Sequence, residues 1–582
     1  MPLTAEHGKI RIYDQGGYPD TAYSRDGGSL ADNGCGLLTL NHAMQWVGMR
    51  GVPTPVEMAQ TDMARDLLGF EPGYFLKSAE AYGFLAEDLY RCCNDRERFV
   101  ARLEALFSRG QAVTLHVRGD NGFTGRRTPG HYCLGVGLTA DRRKVHIIDS
   151  SSGTTLGVLK ASEYDGYYDP NGSLKLIDRS WDLAATIRAV TGGRASDYAS
   201  GAEYWVDLDF VWSNQCFYDG QDNDSGWTVA IQRKPRSARM RVVGDVMVCT
   251  SQLEVCKASG YDFHPEFEHI RDALANADYT MANLEGTVGK HERWPYSGYP
   301  QFNCPETLLE ALRDSGVDFL TLANNHMLDR LFAGLKNTVT WVERYGFDHV
   351  GAYRTREERE TPCVREVNGI RFGFVAYTYF TNEIELIYKE LDPAATEYGV
   401  PYIYECDFAA DIKRLRDAGA EVVIAFPHCG TEYVQQPDAS QLDYAERLAA
   451  AGADIILGSH SHAVQPMTLK RVTDANGRAR DVLVAYSLGN FLSDHRLRYT
   501  DSGVIVEFTV RENDDGTFSV GGVGCIPTYC WQPTRGDVRV LPSAKHLKEA
   551  PAGMTPEAHA RLVESYREIT GILSDAYPVL EG

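Results

Sequence analysis

The chain has 582 residues, of which 43 % are hydrophobic, and this predicts a globular protein of two to four domains. Its formal net charge of −22 argues against nucleic acid or an anionic membrane as a general partner, because phosphate groups bind basic surfaces. No apolar stretch reaches about 18 residues, so no membrane span is expected. The thirteen cysteines include no CxxC pair, which favours reduced thiols over a disulfide framework.

The first residues, MPLTAEHGKIRIYDQGG, lack a basic head followed by an apolar core. We therefore expect no signal peptide and a cytoplasmic location. An envelope or extracellular role would need another export route. The sequence does not indicate an oligomeric state.

In chain order, the first chemical motif is a cysteine at the predicted start of a helix. The segment LADNGCGLLTLNHAMQWVGM places Cys35 between two glycines, just before an amphipathic helical pattern. A thiol at a helix N-terminus has a lowered pKa, which makes Cys35 a candidate nucleophile. Packing is the alternative role, since isolated buried cysteines are most often core residues.

A cysteine nucleophile needs a base and an orienting group from elsewhere in the chain. His131 begins the apolar segment HYCLGVGL, and Asp149 ends KVHIID. A short turn joins these two predicted strands, which would set His131 beside Asp149. Gln15 could donate to an oxyanion. His42 and His116 are the alternative histidines, and we expect both to be structural.

The order of Gln15, a GCG before a helix, a GHY strand and an IID strand resembles papain-like cysteine peptidases of the bacteriocin-leader-processing type. The resemblance covers about residues 10–155 and implies an α+β domain. It also implies that Cys35 attacks an amide carbonyl, that His131 moves the proton and that Asp149 orients His131.

Composition changes once along the chain, in DGQDNDSGWTVAIQRKPRSAR at residues 219–239. This Gly-, Asp- and Ser-rich stretch predicts a linker. We expect a first domain over 1–235, a second over 238–545 and a helical tail over 546–582. A threonine cap before Pro556 predicts the start of the tail helix.

From residue 240 onward, short apolar runs alternate with longer amphipathic segments, which predicts α/β layering. Polar residues follow the predicted strands one after another, and in open α/β sheets such strand ends meet at one edge. The residues at these ends are Asp245, Asn283, Glu285, Asn324, Asn325, His326, His428, His460, His462 and Asn490.

A mixed His, Asp and Asn set favours Mn, Fe or Zn as the cofactor, with one or two ions. Two ions about 3.5–4 Å apart could activate water for an in-line displacement. For any one of these histidines, a hydrogen-bonded strand end is the alternative. The GSHSH, PHCG and NNH segments together favour metal binding.

The motifs GDVM, ANLEG, LANNHMLD, PHCGTEY, GSHSHAVQP and AYSLGNF occur in the order found in the CapA family of poly-γ-glutamate capsule biosynthesis proteins, which resembles the calcineurin-like metallophosphoesterases. The resemblance covers about residues 240–530 and implies a four-layer α/β sandwich. It also implies that His326 assists the leaving group. The metal ligands it implies are Asp245, Asn283 or Glu285 as the bridge, Asn325, His428, His460 and His462.

Besides the bridging position, where NLE (residues 283–285) stands in place of the aspartate, two positions depart from these patterns. Met247 stands where phosphoesterases carry a histidine ligand, and Cys429 replaces the tryptophan of the usual HWG motif. The first metal position is therefore short of ligands, so a mononuclear or atypical site is an alternative.

Together these features predict a bifunctional hydrolase of poly-γ-glutamate or a related γ-glutamyl or peptide polymer. One hydrolytic site would be a cysteine amidase or peptidase site, and the other would be a metal-dependent hydrolase site. The alternatives are a polymer-binding or assembly module of capsule biosynthesis with a vestigial metal site, and a metal-dependent phosphoesterase.

Overall fold

A computed structural model of the chain divides into two compact units, Met1–Lys234 and Pro235–Gly582. The residues that the structure describes are 4–7, 10–13, 15, 18–24, 27–69, 73–89, 95–117, 131–150, 202–209, 211–212, 228–473, 479–513, 516–573 and 577–581.

In the described part of the N-terminal unit, an antiparallel sheet is covered by helices on both faces. The strands are β1 (Thr4–His7), β2 (Ile10–Tyr13), β3 (Phe84–Asp88), β4 (Ala112–Val117), β5 (His131–Leu138), β6 (Lys144–Asp149), β7 (Ala202–Asp207) and β8 (Val229–Arg233). The helices are α1 (Leu30–Asn33), α2 (Cys35–Trp46), α3 (Pro55–Ala64), α4 (Tyr74–Tyr82) and α5 (Arg96–Phe107).

The sheet order is β3-β8-β4-β5-β6-β7, and β1 and β2 form a separate hairpin. Alternate residues of a strand point to opposite faces. Leu134 of β5 accordingly packs with α2 on one face, and its neighbour Cys133 packs with α5 on the other. The adjacency of β5 and β6 agrees with the sequence interpretation, whereas a papain-like domain stays a prediction.

The C-terminal unit contains two larger sheets. Its strands, over the described residues, are β9 (Ser237–Val246), β10 (Tyr279–Leu284), β11 (Thr287–Val288), β12 (Asn303–Cys304), β13 (Phe319–Thr321), β14 (Asp348–Val350), β15 (Cys363–Val367), β16 (Ile370–Thr378), β17 (Val422–His428), β18 (Ile455–Leu457), β19 (Met467–Thr473), β20 (Ala479–Ala485), β21 (Asn490–Leu492), β22 (Ser502–Glu512), β23 (Phe518–Thr534) and β24 (Asp537–Pro542).

The helices of this unit cover the outer faces of the sheets and its C-terminal end. They are α6 (Thr250–Cys256), α7 (His264–Phe267), α8 (Arg271–Ala275), α9 (Thr307–Asp314), α10 (Leu331–Arg344), α11 (Arg356–Glu360), α12 (Ile384–Leu391), α13 (Phe408–Asp417), α14 (Ala439–Ala451) and α15 (Pro556–Leu573).

The first sheet runs β14-β13-β10-β9-β22-β23-β24, with β21 also paired to β9, and the second runs β15-β16-β17-β18-β20-β19. An apolar core lies between the sheets, where Met240 and Val242 join Phe372 and Phe374. Two further apolar clusters lie outside the sheets. In one, α9 and α10 pack against the first sheet, and in the other, α13 and α14 pack against the second. The unit is therefore a helix–sheet–sheet–helix sandwich, as the CapA resemblance implied.

Two segments whose periodicity predicts a single element differ in the structure. The amphipathic segment FEHIRDALANA, residues 267–277, predicts one helix, but it contains only the short helix α8 and the last residue of α7. The segment DVLVAYSLGNF is not one strand, because its first part is β20 of the second sheet and its end is β21 of the first. The chain changes sheets at Gly489, whose φ of +68° suits glycine.

The predicted tail helix begins at Pro556 and packs against β23, with Leu562 in contact with Tyr529 and Trp531. No helix within the described residues combines the length and apolarity that a bilayer crossing requires. The cysteines that the structure describes form no disulfide.

Candidate metal centre

Five potential metal ligands meet at the carboxyl ends of strands from both sheets. Asp245 is next to last in β9, and Glu285 directly follows β10. His428 ends β17, whereas His460 and His462 lie in the turn after β18. All five side chains are buried. Parallel strands end at one edge of their sheet, which is why residues so far apart in sequence converge here.

Their donor atoms form two groups, within each of which the atoms lie no more than 4.8 Å apart. We call Asp245, Glu285 and His462 the first position, and Glu285, His428 and His460 the second position. Glu285 Oε1 lies 3.8 Å from His462 Nε2 and 3.7 Å from His428 Nε2. One carboxylate therefore stands between the two groups, where a ligand shared by two ions would stand.

Several buried polar atoms at this centre have no hydrogen-bond partner among the described residues. They are Asp245 Oδ2, Asn283 Oδ1, both carboxylate oxygens of Glu285 and Nδ1 of His460. Burial and the neighbouring charge of Asp245 raise the pKa of Glu285 well above its usual value. Buried carboxylate oxygens without hydrogen bonds are costly, and a divalent cation is a partner that would compensate them. The residues present thus fit a metal site.

The three histidines differ in their protonation. Burial lowers the pKa of His460 to about 3 and holds the pKa of His428 well below its usual value. Burial acts in the same direction on His462, but the charges of Glu285 and Asp245 outweigh it and raise the pKa to about 9. The second position therefore presents neutral imidazoles, which is the form that binds metals. At the first position an ion would displace a proton from His462.

The turn that carries His460 and His462 is conformationally unusual. Both histidines have positive φ, +91° and +56° respectively, in a region that L-residues seldom adopt. Gly458 precedes this turn and is required sterically, because a Cβ there would overlap the carbonyl oxygen of Tyr486.

Two asparagines bind the candidate ligands. Asn325 Oδ1 lies 2.7 Å from His428 Nε2, so its amide oxygen faces the second position. Asn283 Nδ2 donates to Asp245 Oδ1 over 2.7 Å, which holds that carboxylate in place. Of the two candidates for the bridging residue, Glu285 belongs to both groups of acidic and imidazole donors, and Asn283 contacts Asp245 of the first group and, at 3.4 Å, His428 of the second. The ligand roles of Asn283 and Asn325 stay predictions.

His326, the expected leaving-group residue, lies in a hydrogen-bonded pair. Its Nδ1 is 2.8 Å from Asp329 Oδ2, which also accepts the Phe302 backbone N–H. Asn382, at φ +51°, lies 3.3 Å from the same ring nitrogen and accepts from Asn325. Sequence reasoning missed Asp329 and Asn382. The sequence could have indicated Asp329, because a carboxylate three residues after a histidine can bond to it within a turn.

The two departures from the family pattern have different surroundings. Met247 is buried against Cys249 and Phe302, and Phe302 in turn packs edge-on against His326 with ring centroids 4.6 Å apart. Cys429 packs in the core under α13 and α14. Met247 therefore lies at the border of the metal centre, whereas Cys429 packs between the second sheet and its outer helices.

In the N-terminal unit, the structure describes only part of the predicted thiol site. Cys35 begins α2 behind Gly34, as expected. The Thr39 hydroxyl donates to the Tyr132 carbonyl over 3.1 Å, so the first turns of α2 lie beside the start of β5. The side chains of His131 and Asp149 lie outside what the structure describes.

Gln15 is tied to both neighbouring elements. Its backbone N–H donates to Ser150, directly after β6, and its side-chain amide donates to Ala31 of α1. His42 accepts from the Tyr13 backbone N–H, and buried His116 contacts the Tyr132 ring, which agrees with structural roles for both histidines. The catalytic roles of Cys35, His131, Asp149 and Gln15 stay predictions.

The fold and the site together define the class of domain. It is a four-layer α/β unit with buried carboxylates and imidazoles at its strand ends. Residues 239–495 match the family model described as bacterial capsule synthesis protein PGA_cap. The C-terminal region thus carries a PGA_cap domain and is homologous to CapA proteins.

Two curated relatives share this region. A capsule biosynthesis protein CapA of Bacillus anthracis is 27 % identical over 291 residues, which is 50 % of this chain and 67 % of that protein. A PGA biosynthesis protein CapA of Bacillus subtilis (strain 168) is 26 % identical over 283 residues, or 48 % of this chain and 69 % of that protein. Among solved structures, a calcineurin-like phosphoesterase of Bacillus subtilis aligns with a TM-score of 0.29 and 13 % identity, covering 58 % of this chain and 98 % of that one.

Proposed function

We propose that the C-terminal unit is a dinuclear metal-dependent hydrolase of an anionic capsule polymer, poly-γ-glutamate. The observation that carries the proposal is Glu285, a buried carboxylate common to both donor groups whose two oxygens have no hydrogen-bond partner among the described residues. A vestigial site would not need to retain two buried carboxylates beside three imidazoles, because such a set is costly without a cation.

The ions would be held by Asp245, Glu285 and His462 at the first position and by Glu285, His428, His460 and Asn325 at the second. When bound, they supply an activated water and charge stabilisation for the displacement. Mn, Fe and Zn all suit this mixed set of nitrogen and oxygen donors.

The chain's own groups would orient and protonate the substrate. Asp329 accepts from Nδ1 of His326 and so fixes the imidazole. In the imidazolium form, Nε2 would carry the proton that passes to the leaving group. Asn283 holds Asp245, and Ser459 Oγ lies 2.7 Å from His428 Nδ1, which fixes that ring with Nε2 towards Glu285 and Asn325. These contacts order the ligands before an ion binds.

The substrate class rests on the relatives, whose names refer to capsule and PGA biosynthesis. The formal charge of −22 would repel a polyanion. Bound cations would provide the local countercharge, so polymer affinity should depend on metal loading.

The test is cleavage of poly-γ-glutamate by the full-length protein loaded with Mn, Fe or Zn, followed by size-exclusion chromatography. We expect shortening that EDTA abolishes and that Glu285→Gln removes. Glu446→Gln is the matched control, because Glu446 is an exposed carboxylate paired with Lys470. Metal binding without shortening, but with turnover of a chromogenic phosphodiester, would identify a phosphoesterase instead. Failure to retain metal would favour the binding module.

A second candidate function belongs to the N-terminal unit, where we propose a thiol hydrolase centred on Cys35. It is favoured by the Thr39 contact to the start of β5 and by the Gln15 contact to the residue after β6. These place the start of α2, Gln15 and the ends of both strands in one neighbourhood. Shortening that persists in EDTA but is lost in Cys35→Ser would support it. Unchanged activity in Cys35→Ser would contradict it.

A further inference from the structure

Each position has three histidine or carboxylate donors, which are Asp245, Glu285 and His462 at the first and Glu285, His428 and His460 at the second. The proposed function adds the amide oxygen of Asn325 to the second position. A catalytic Zn ion takes three protein ligands and leaves a fourth position to water or substrate, whereas an octahedral Mn site has room for further protein donors. Met247 is not such a donor, since its side chain packs into an apolar cluster with Cys249 and Phe302.

An unused imidazole lies on the other side of this position. The chain after β21 passes close to it, because Asn490 of β21 is in register with Asp245 and its Oδ1 lies 3.0 Å from His462 Nδ1. Five residues later, the ring of His495 contacts that of His462 at a centroid distance of 5.5 Å and an interplanar angle of 78°. Nδ1 of His495 is buried and has no hydrogen-bond partner among the described residues.

The spacing of the two rings suits a shared ion. With metal–nitrogen bonds of about 2.1 Å, two imidazoles on one ion have ring centroids about 4.6 to 5.6 Å apart. His428 and His460, which belong to one donor group, have centroids 4.8 Å apart. The 5.5 Å between His462 and His495 lies within the same range. His495 is outside the group whose atoms all lie within 4.8 Å, so a side-chain rotation would accompany its binding.

We propose that His495 is a ligand of the first-position ion and replaces the imidazole missing at Met247. The inference rests on the proposed metal function. It places this histidine ligand in the segment after β21 and not at the end of β9. Both positions of the dinuclear site then have their ligands, although one ligand comes from a different part of the chain than in phosphoesterases.

The test is titration of metal-free full-length protein with Co²⁺, read by bound-metal analysis and by the visible absorption spectrum of the bound ion. We expect two ions in the wild type. In His495→Gln, the affinity for one of them should fall at least about 10-fold, and the spectrum should lose the contribution of that ion. His264→Gln is the matched control, because His264 is an exposed imidazole bonded to Asp262 and Asp314 away from the centre.

A second variant separates ligation from a general effect on folding. Met247→His in the His495→Gln background should restore the second ion if both positions serve the same metal. Two ions with wild-type affinity and spectrum in His495→Gln would overturn the inference and leave the proposed function intact. One ion in the wild type, unchanged in the variant, would also overturn it. No bound ion in the wild type would overturn the proposed function as well.

Discussion

His326 Nδ1 lies 2.8 Å from Asp329 Oδ2, and both side chains are buried in the turn after β13. In the proposed function, this contact leaves Nε2 as the ring nitrogen of His326 that exchanges a proton with the substrate. The same carboxylate oxygen accepts from Phe302, so its position does not depend on the histidine alone.

Asp329→Asn should therefore impair turnover and not metal binding. An amide can still accept from Phe302, but it no longer stabilises the imidazolium that a general acid requires. We expect kcat to fall by about 10²–10⁴-fold, with KM and bound metal unchanged.

The control for this variant is Asp443→Asn, since Asp443 is an exposed carboxylate on α14. Wild-type kcat in Asp329→Asn would contradict a role for the pair in proton transfer. Loss of bound metal would assign Asp329 to the metal centre instead.

Glu285→Gln should affect both metal positions together, because this carboxylate is common to both donor groups. We expect both ions to bind at least about 10-fold more weakly. Elemental analysis after dialysis against a set free-metal concentration measures this. Loss of one ion, with the other retained at wild-type affinity, would show that Glu285 does not bridge.

Glu266, a buried carboxyl on α7 that bonds Gln252, should make stability depend on pH. Burial raises its pKa to about 8, so the folded state favours the protonated carboxyl. The stabilisation is fully present below the unfolded pKa of about 4.5 and is lost as pH rises through about 8. Because one pKa unit is about 1.4 kcal/mol, the loss is about 3 to 5 kcal/mol.

Glu266→Gln should remove this loss, making the variant more stable than wild type at pH 8 and above. Urea unfolding of the metal-free protein between about pH 5 and 9 measures the difference. Glu268→Gln, an exposed neighbour, should keep the wild-type profile. Parallel profiles for wild type and Glu266→Gln would contradict the shifted pKa.

Gly458→Ala should destabilise the turn that carries His460 and His462. A Cβ at this position meets the Tyr486 carbonyl oxygen, so the backbone must shift. We expect this to lower the free energy of unfolding by about 1–3 kcal/mol. We expect a lower melting temperature together with weaker metal binding. Gly521→Ala is the control, since a Cβ there meets nothing within 4 Å. Wild-type stability and metal affinity in Gly458→Ala would contradict the steric role.

The sequence by itself determined the layered α/β character of the second unit and most of the residues at its centre. Periodicity identified strands such as β16 and β17, and the polar residues that follow them could be read directly because strand ends share one edge. The capsule-family resemblance was confirmed by the family model and the CapA relatives.

Only the tertiary structure decided how those residues divide between two positions. Asn283 and Glu285 were equal candidates for the bridging residue in sequence. In the structure Glu285 lies 3.7 Å from His428 and 3.8 Å from His462, which supports Glu285 as the proposed bridge, and Asn283 contacts Asp245 and His428. The crossing between β20 and β21, which places Asn490 beside Asp245 and brings His495 to His462, leaves no periodic signal. Periodicity reports which residues are buried, whereas the partners of a buried polar atom depend on long-range packing that no local pattern encodes.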